Sequence, residues 1–221
     1  MARTLTSEEA RLYYEKNADR QDHQGWYEDA ALERLLDAGD FEQARAVLEI
    51  GCGSGILAER LVSDHLVPGA HYVGLDIAQA MLERTRPRLK PGKGVRASLL
   101  QADATRGLPI ADETVDRLIS AYVLDLMSDA QAARIFAEAH RVLQPDGLLC
   151  LASLTQGSSG LLSGLLAGLW SSVQRLFPKR VGGCRPVALS ELVGDQGWTV
   201  LSREIVAPRG LASEIIIASR R

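Results

Sequence analysis

The chain has 221 residues, of which 46% are hydrophobic and 24% are charged, and its formal net charge is -3. This length suits one large α/β domain, and the composition is that of an ordinary soluble globular protein. Lysine and arginine are spread along the chain, so nucleic acid is not expected as a partner or substrate.

Two further features of composition concern the environment of the protein. Cys52, Cys150 and Cys184 are odd in number and include no CxxC pair, which argues against a disulfide framework and predicts no metal site. Residues 1–19 are polar, so no secretory signal peptide is expected there. Both observations predict a cytoplasmic protein.

Helical and strand patterns alternate along the chain. Helices are predicted at 7–17, 29–38, 56–63, 78–89, 129–143 and 190–196, and strands at 45–50, 72–76, 95–102, 115–121, 148–153, 198–206 and 213–218. Gly39 is predicted to cap the second helix in a left-handed conformation, and residues 144–147 to form a tight turn. The alternation predicts a doubly wound, mostly parallel α/β sheet of about seven strands, with helices on both faces.

A strand that runs into three alternating glycines is the strongest local motif. Residues 47–55 read VLEIGCGSG, and a helix is predicted to follow them. A glycine loop at this place lets a ligand approach the backbone, although it could instead be a purely structural turn. Its G-x-G-x-G spacing, with Ile56 where a third dinucleotide glycine would stand, argues against NAD.

Each of the next two predicted strands ends at a carboxylate. Asp76 could accept hydrogen bonds from both hydroxyls of a ribose, or could cap the helix near Ala78. Asp103 could accept from the exocyclic amine of adenine, or could be an ordinary turn aspartate. Because parallel strands end at the same edge of a sheet, the glycine loop and both carboxylates are expected to meet there.

Four segments together resemble a known family. They are VLEIGCGSG at 47–55, YVGLDIAQAML at 72–82, LLQADATRGLPIADETVDRLISAYVL at 99–124 and EAHRVLQPDGLLCLAS at 138–153. In this order they look like the successive motifs of class I S-adenosylmethionine-dependent methyltransferases, closest to the branch that includes ubiquinone and menaquinone biosynthesis and other small-molecule methyltransferases. The resemblance covers about 45–153 and implies a Rossmann-like fold, with S-adenosylmethionine as cofactor and S-adenosylhomocysteine as product.

The resemblance also implies roles for particular residues. Glu49, Gly51 and Gly53 would line the methionine part of the cofactor, with Cys52 among them as a small, space-filling residue. Asp76 would hold the ribose. The adenine would lie between Ile77, Met81, Asp103 and Ala104, and the transferred methyl near Ser120 and Ala121. Tyr14 would lie over the cofactor, while Tyr122 and Asp125 would face the acceptor.

The acceptor side is less determined by the sequence. Residues 160–177 carry leucine and aromatic side chains at helical spacing, which fits a lid over an apolar or lipid-like acceptor, a helix that contacts a membrane surface, or plain core packing. Residues 180–186, with Arg185, could bind an anionic acceptor group or be a solvated loop. If a base is needed, the histidines are His23, His65, His71 and His140, of which His140 is expected to be structural.

These expectations divide the chain into one domain with four parts. Residues 1–44 would cover the site, 45–153 would bind the cofactor, 154–187 would form the acceptor side, and 188–221 would close the sheet. The expected function is methyl transfer to a small-molecule or lipid-like acceptor. The alternatives are a nicotinamide-dependent oxidoreductase on a similar sheet and a non-catalytic protein that binds the cofactor.

Overall fold

The computed structural model describes residues 4–19, 25–90, 94–155 and 185–221. The helices and strands of these residues follow the predicted order. They are α1 (Ser7–Asn17), α2 (Gly25–Ala38), β1 (Ala46–Ile50), α3 (Ile56–Arg60), β2 (His71–Asp76), α4 (Gln79–Thr85), β3 (Arg96–Gln101), β4 (Val115–Ala121), α5 (Asp129–Val142), β5 (Leu143–Leu154), α6 (Leu189–Asp195), β6 (Trp198–Val206) and β7 (Ser213–Arg220).

The strands form one sheet in the order β3-β2-β1-β4-β5-β7-β6. Strands β1 to β5 pair in parallel, whereas β7 pairs antiparallel with both β5 and β6. The order reverses at β1, so the crevice for a ligand lies above the carboxyl ends of β1 and β4. The predicted fold class, a Rossmann-like, mostly parallel seven-stranded sheet, is therefore confirmed.

Helices cover both faces of the sheet because its side chains alternate between two cores. Leu48 and Leu118 pack with α5 and α6 on one face, while Val47 and Ile119 pack with α2 and α3 on the other. The α5 helix begins with a capping box at Ser128 and Gln131, and then buries one apolar stripe, Ala132, Ile135, Phe136, Ala139 and Val142. A helix of this kind gains most of its stability from that buried stripe.

Two local predictions are wrong. Gly39 is not the left-handed residue after α2. Asp40 has that conformation, with φ of 50°, and a Cβ at Gly39 would lie 2.3 Å from the Phe41 ring, so Gly39 serves close packing. Residues 144–147 lie inside β5 instead of in a turn, and the pairing of β4 with β5 shifts between Val115 and Arg117 to accommodate them as a bulge.

Helix α4 ends earlier than predicted, at Thr85. Two causes act together, since Pro87 has no amide hydrogen to donate back to the helix, and the Thr85 hydroxyl donates to the Met81 carbonyl at 3.0 Å. Helix α3 also ends earlier than predicted, at Arg60, and a single π-helical turn, Leu61–His65, follows it. In this turn the Leu66 amide donates to the Leu61 carbonyl at 2.8 Å. Two short helices, α3 and α4, therefore lie next to the glycine loop.

The segment 160–177, predicted as a lid, a membrane-facing helix or core packing, lies outside the described residues. Within the described ranges, no helix is both long enough and apolar enough to cross a membrane.

A buried arginine ties β4 to the segment that leads into β1. The Arg117 side chain donates to the carbonyls of Gly39 at 2.8 Å, Asp116 at 2.9 Å and Asp40 at 3.0 Å. Replacing it with methionine leaves these carbonyls without a buried donor, and should lower the free energy of unfolding by about 2 to 4 kcal/mol.

The measurement is urea unfolding followed by circular dichroism. Arg34→Met is the matched control because Arg34 meets Glu204 at 3.4 Å on the surface, where both side chains are about half exposed, and its loss should cost less than about 0.5 kcal/mol. Equal losses for the two variants would contradict the structural role of Arg117.

Candidate functional site

A cavity opens at the carboxyl ends of β1, β2 and β4, beside the segment that follows β3. Helix α1 covers it and α2 borders it. Its walls are Leu5, Ser7, Ala10, Tyr14, Glu28, Leu32, Glu49, Ile50, Gly51, Cys52, Gly53, Ser54, Gly55, Ile56, Leu57, Leu75, Asp76, Ile77, Met81, Ala102, Asp103, Ala104, Thr105, Ala121, Tyr122, Val123, Leu126, Met127 and Gln131. The glycine loop and both strand-end carboxylates therefore meet in one cavity.

The three glycines of the loop are needed for its geometry. Gly51, Gly53 and Gly55 have φ values of 71°, 53° and 87°, a region that favours glycine. At Gly55 a Cβ would also lie 2.9 Å from the Thr85 Cα, so α4 packs directly on the loop backbone. Thr85 fastens this contact, because its hydroxyl donates to the Gly53 carbonyl at 2.7 Å.

Most amides of the loop are used within the protein. The amides of Gly51 and Cys52 donate to the Leu75 carbonyl at 2.6 and 3.0 Å, and the Gly55 amide donates to the Cys52 carbonyl at 3.0 Å. The Gly53 amide donates to the Asp76 carboxylate at 2.9 Å. A phosphate-binding loop instead turns several such amides towards its ligand, so this loop is poorly suited to a pyrophosphate.

Asp76 joins two loops at the edge of the sheet. One carboxylate oxygen accepts from Gly53 and the other from the Ala78 amide, each at 2.9 Å. The side chain is largely buried, and this burial raises the pKa of Asp76 to about 6, although the two amides lower it. Each carboxylate oxygen can accept a further hydrogen bond on its cavity side. The capping alternative is wrong, because Ala78 is the N-cap of α4 and Asp76 bonds to the amide of that residue, before the helix begins.

Glu49 is the second buried carboxylate of the site. It accepts a hydrogen bond of 2.5 Å from the Tyr72 hydroxyl, which is itself fully buried in β2. Burial raises the pKa of Glu49 to about 7, and nearby Asp76 raises it further, while the bond from Tyr72 lowers it. The same two carboxyls, together with burial, raise the pKa of the Cys52 thiol, so this cysteine is no thiolate nucleophile.

Asp103 shapes the next turn. Its carboxylate accepts from the Thr105 amide at 3.0 Å and from the Thr105 hydroxyl at 2.6 Å, at the start of a short 3-10 turn. The turn alternative is thus correct, and the residue also lines the cavity.

The charged side chains that line the cavity are all acidic: Glu28, Glu49, Asp76 and Asp103. No lysine, arginine or histidine occurs among the described residues of its walls. The cavity is therefore electronegative.

Polar contacts hold helix α1 over the cavity, and they reach the segments that follow β2 and β3. The Glu15 carboxylate accepts from the amides of Gln79 at 2.8 Å and Ala80 at 3.2 Å, at the start of α4. The Ser7 hydroxyl lies 3.3 Å from the Thr105 hydroxyl. Tyr14, from the same helix, also lines the cavity.

Of the residues predicted to lie near the methyl group or the acceptor, some line the cavity and others do not. Ala121 and Tyr122 line the cavity, and Tyr122 has φ of 56° with its hydroxyl 2.8 Å from the Ser213 hydroxyl. Ser120 and Asp125 are buried and do not line it. Arg185 also stays outside, because its guanidinium donates to the Met127 carbonyl at 2.9 Å and to Asp129 at 2.7 Å.

Sequence reasoning missed the wall contributed by α2. Glu28 and Leu32 stand four residues apart, so they share one helix face, and both line the cavity. Leu126, Met127 and Gln131, beyond β4, complete this side. A carboxylate on an otherwise core-facing helix stripe was the available signal for Glu28, but the sequence does not reveal which element that stripe meets.

The loop geometry makes a testable prediction about stability. Alanine at either Gly53 or Gly55 adds a left-handed strain of about 1 to 2 kcal/mol. Only at Gly55 does the new Cβ overlap Thr85, since nothing lies within 4 Å of a Cβ at Gly53. Gly55→Ala should therefore lose about 1 to 3 kcal/mol more in the free energy of unfolding than Gly53→Ala, as measured by urea denaturation. A smaller loss at Gly55 would contradict the packing of α4 on the loop.

Known proteins resemble this chain in sequence and in structure. A family model described as a methyltransferase domain matches residues 47–147. A malonyl-[acyl-carrier protein] O-methyltransferase of Geobacter sulfurreducens is 35% identical over 124 residues, which are 56% of this chain and 43% of that protein. A demethylmenaquinone methyltransferase of Lactobacillus johnsonii is 29% identical over 156 residues, 70% of this chain and 58% of that protein.

A solved structure matches over nearly the whole length. It is a chain of the complex between the Haloferax volcanii Trm112 methyltransferase activator and its methyltransferase, with a TM-score of 0.73, 16% identity, and 95% and 96% of the two chains covered. At this identity the likeness shows the fold alone. The present chain spans about half the length of the curated relatives it matches.

Proposed function

This chain belongs to the class I S-adenosylmethionine-dependent methyltransferase family, and we propose that it binds S-adenosylmethionine in the cavity and transfers the methyl group to a small acceptor molecule. The prediction of the family from the sequence motifs is confirmed. The acceptor, the roles of individual residues and the activity of the whole protein are part of the proposal.

The negative charge of the cavity walls is the main support for this proposal. S-adenosylmethionine has a sulfonium and an ammonium against a single carboxylate, so it is a net cation. The described walls offer four carboxylates and no basic side chain, which favours a cation and repels a pyrophosphate. The amides of Gly51, Cys52 and Gly53, already used within the protein, make a dinucleotide still less suitable.

We assign the cofactor-binding residues along the three strand ends. Asp76 would accept from the ribose hydroxyls, and Glu49, Gly51, Cys52 and Gly53 would border the methionine part. The adenine would lie among Ile77, Met81, Asp103 and Ala104, with Ala121 near the methyl group and Tyr14 covering the cofactor. All of these residues line the cavity, which supports the assignment. Ser120, which is buried behind it, is left out of the proposed site.

Bound S-adenosylmethionine would supply a methyl group activated by a positive sulfur. The contribution of the protein is then mainly to hold the acceptor in line with that methyl and to exclude water. Helix α1 suits the second task, since its contacts through Glu15 and Ser7 hold it across the opening. Residues 1–44 are accordingly proposed as the cover of the site and 154–187 as its acceptor side.

The acceptor is proposed to be a small or lipid-like molecule. Leu32, Val123, Leu126 and Met127 give the cavity an apolar lining besides its carboxylates. The relatives named above as methyltransferases act, by their names, on a malonyl-[acyl-carrier protein] and on demethylmenaquinone. A nucleic acid does not suit an electronegative cavity, because its phosphates would be repelled.

Calorimetric titration tests the cofactor. S-adenosylhomocysteine should bind with one site per chain, and NADH should give no heat of binding, because its pyrophosphate would approach the carboxylates. Binding of NADH without binding of S-adenosylhomocysteine would overturn the proposal in favour of an oxidoreductase.

The raised pKa values also predict a pH dependence. Glu49 and Asp76 have pKa values of about 7 and about 6 in the free protein, and a bound cation should lower both. Cation binding therefore releases protons, so the affinity for S-adenosylmethionine should rise with pH through this range. Neutral S-adenosylhomocysteine should respond less, and the ratio of the two affinities should grow on the order of tenfold between about pH 5.5 and about pH 8. A constant ratio would contradict the proposed role of these carboxyls.

A further inference from the structure

Glu28 is a fourth carboxylate in the cavity wall, and it is placed differently from the other three. Glu49, Asp76 and Asp103 lie at strand ends and accept hydrogen bonds from Tyr72, Gly53 and Thr105. Glu28 instead comes from α2, on the helix face it shares with Leu32. It lines the same cavity as Leu126 and Met127 and interacts with Tyr122, which follows β4, and no cofactor contact is proposed for it.

The groups around Glu28 orient its carboxylate, and the described residues of the cavity wall offer it no positive charge. Tyr27 hydrogen-bonds to the carboxylate and also packs edge-on against Tyr122, with ring centroids 5.8 Å apart. The charged and titratable groups that interact with Glu28 are Tyr27 and Asp29 on the same helix and Tyr122 beyond β4, while Asp125 acts in turn on Tyr122. Asp29 itself pairs with Arg60 at 2.6 Å. No described residue offers a basic side chain to Glu28 from the cavity wall.

Burial and the nearby Asp29 raise the pKa of Glu28 to about 7, although the bond from Tyr27 lowers it. A carboxyl with this property is half ionised near neutral pH, where a proton acceptor in catalysis works best. The carboxylate retains acceptor capacity beyond the bond to Tyr27, since two oxygens offer about four lone-pair sites. Tyr27 therefore orients the group without blocking it.

We propose that Glu28 is the catalytic base of this protein, which takes the proton from an O–H or N–H group of the acceptor during methyl transfer. The inference rests on the proposed function and identifies the acceptor class. As the acceptor lone pair forms the bond to the methyl carbon, the carbon–sulfur bond breaks and its electron pair stays on sulfur. The acceptor proton moves to a Glu28 carboxylate oxygen and later leaves to solvent.

The position of Glu28 also restricts the acceptor. A carboxylate or phosphate near the reacting atom would be repelled by Glu28, with no described basic side chain to offset the repulsion. A neutral hydroxyl, phenol, enol or amide N–H can instead donate to Glu28 while its apolar remainder contacts Leu32, Leu126 and Met127. The chemical class is thus a neutral, largely apolar molecule whose methylated atom carries a proton.

Activity of a matched pair of variants is the first test. Glu28→Gln keeps the shape of the side chain but accepts no proton, and Glu33→Gln makes the same change on the exposed side of the same helix. With isotopically labelled S-adenosylmethionine and a small-molecule metabolite extract as the acceptor pool, Glu28→Gln should lose about 10² to 10⁴ in the rate of label transfer. Glu33→Gln should match the wild type.

The pH profile separates a base from a merely structural residue. In the wild type the rate at saturating cofactor should rise with pH, with a midpoint at or below about 7, because only the ionised carboxylate accepts a proton and a bound cation lowers its pKa. Glu28→Gln should lack this rise. Equal rates for Glu28→Gln and the wild type, or the same pH profile in both, would overturn the role of Glu28.

Direct titration of Glu28 supplies a measurement without turnover. In protein carrying ¹³C-labelled glutamate, with Glu28→Gln used to assign the signal, the pKa of Glu28 should be lower with S-adenosylmethionine than with S-adenosylhomocysteine. The two ligands differ only by the methyl and its charge, so the shift reports that Glu28 faces the methyl group. Identical pKa values in the two complexes would overturn the proposal.

Calorimetry distinguishes a failure of the role proposed for Glu28 from a failure of the proposed function. Glu28→Gln should bind S-adenosylhomocysteine within about twofold of the wild type, since it makes no proposed contact to that ligand. A parallel loss of binding and rate would make Glu28 a cofactor-binding residue and overturn its role as base. Failure of the wild type to bind S-adenosylhomocysteine would instead refute the proposed function itself.

Discussion

The carboxylate of Asp76 is the interaction on which the rest of the site depends. It accepts from Gly53 after β1 and from Ala78 after β2, and so holds two loops of the parallel sheet at one edge. The carbonyl of Leu75, one residue earlier, accepts from Gly51 and Cys52. These bonds fix the left-handed path of the glycine loop and leave its concave side open as the cavity.

The same arrangement places negative charge where water is scarce. Glu49 and Asp76 lose solvation on folding, so their pKa values rise, and the folded protein loses stability as pH increases from about 4, where these groups ionise in the unfolded chain, to about 6 to 7. A cationic ligand offsets this cost, whereas an anionic one increases it. Strain and buried charge that lower stability while serving a ligand are common in functional sites.

Helices α1 and α2 complete this edge from outside the parallel core. Helix α1 reaches the second and third strand ends through Glu15 and Ser7, whereas α2 brings Glu28 and Leu32 to the side near β4. Under the proposed assignment the strand ends border most of the cofactor. This would leave the outer helices to vary with the acceptor, as is general for functional sites grafted on a fold.

The sequence by itself determined the order of the elements, the parallel core and the meeting of the glycine loop with Asp76 and Asp103. These follow from local periodicity and from the rule that parallel strands end at one edge. Only the tertiary structure decided that Gly39 packs on Phe41, that residues 144–147 bulge within β5, that Ser120 and Arg185 stay outside the cavity, and that Glu28 enters it. Apart from the local contact of Gly39 with Phe41, these features depend on which surfaces meet across the fold, and contacts between residues distant in the chain leave little local pattern in the sequence.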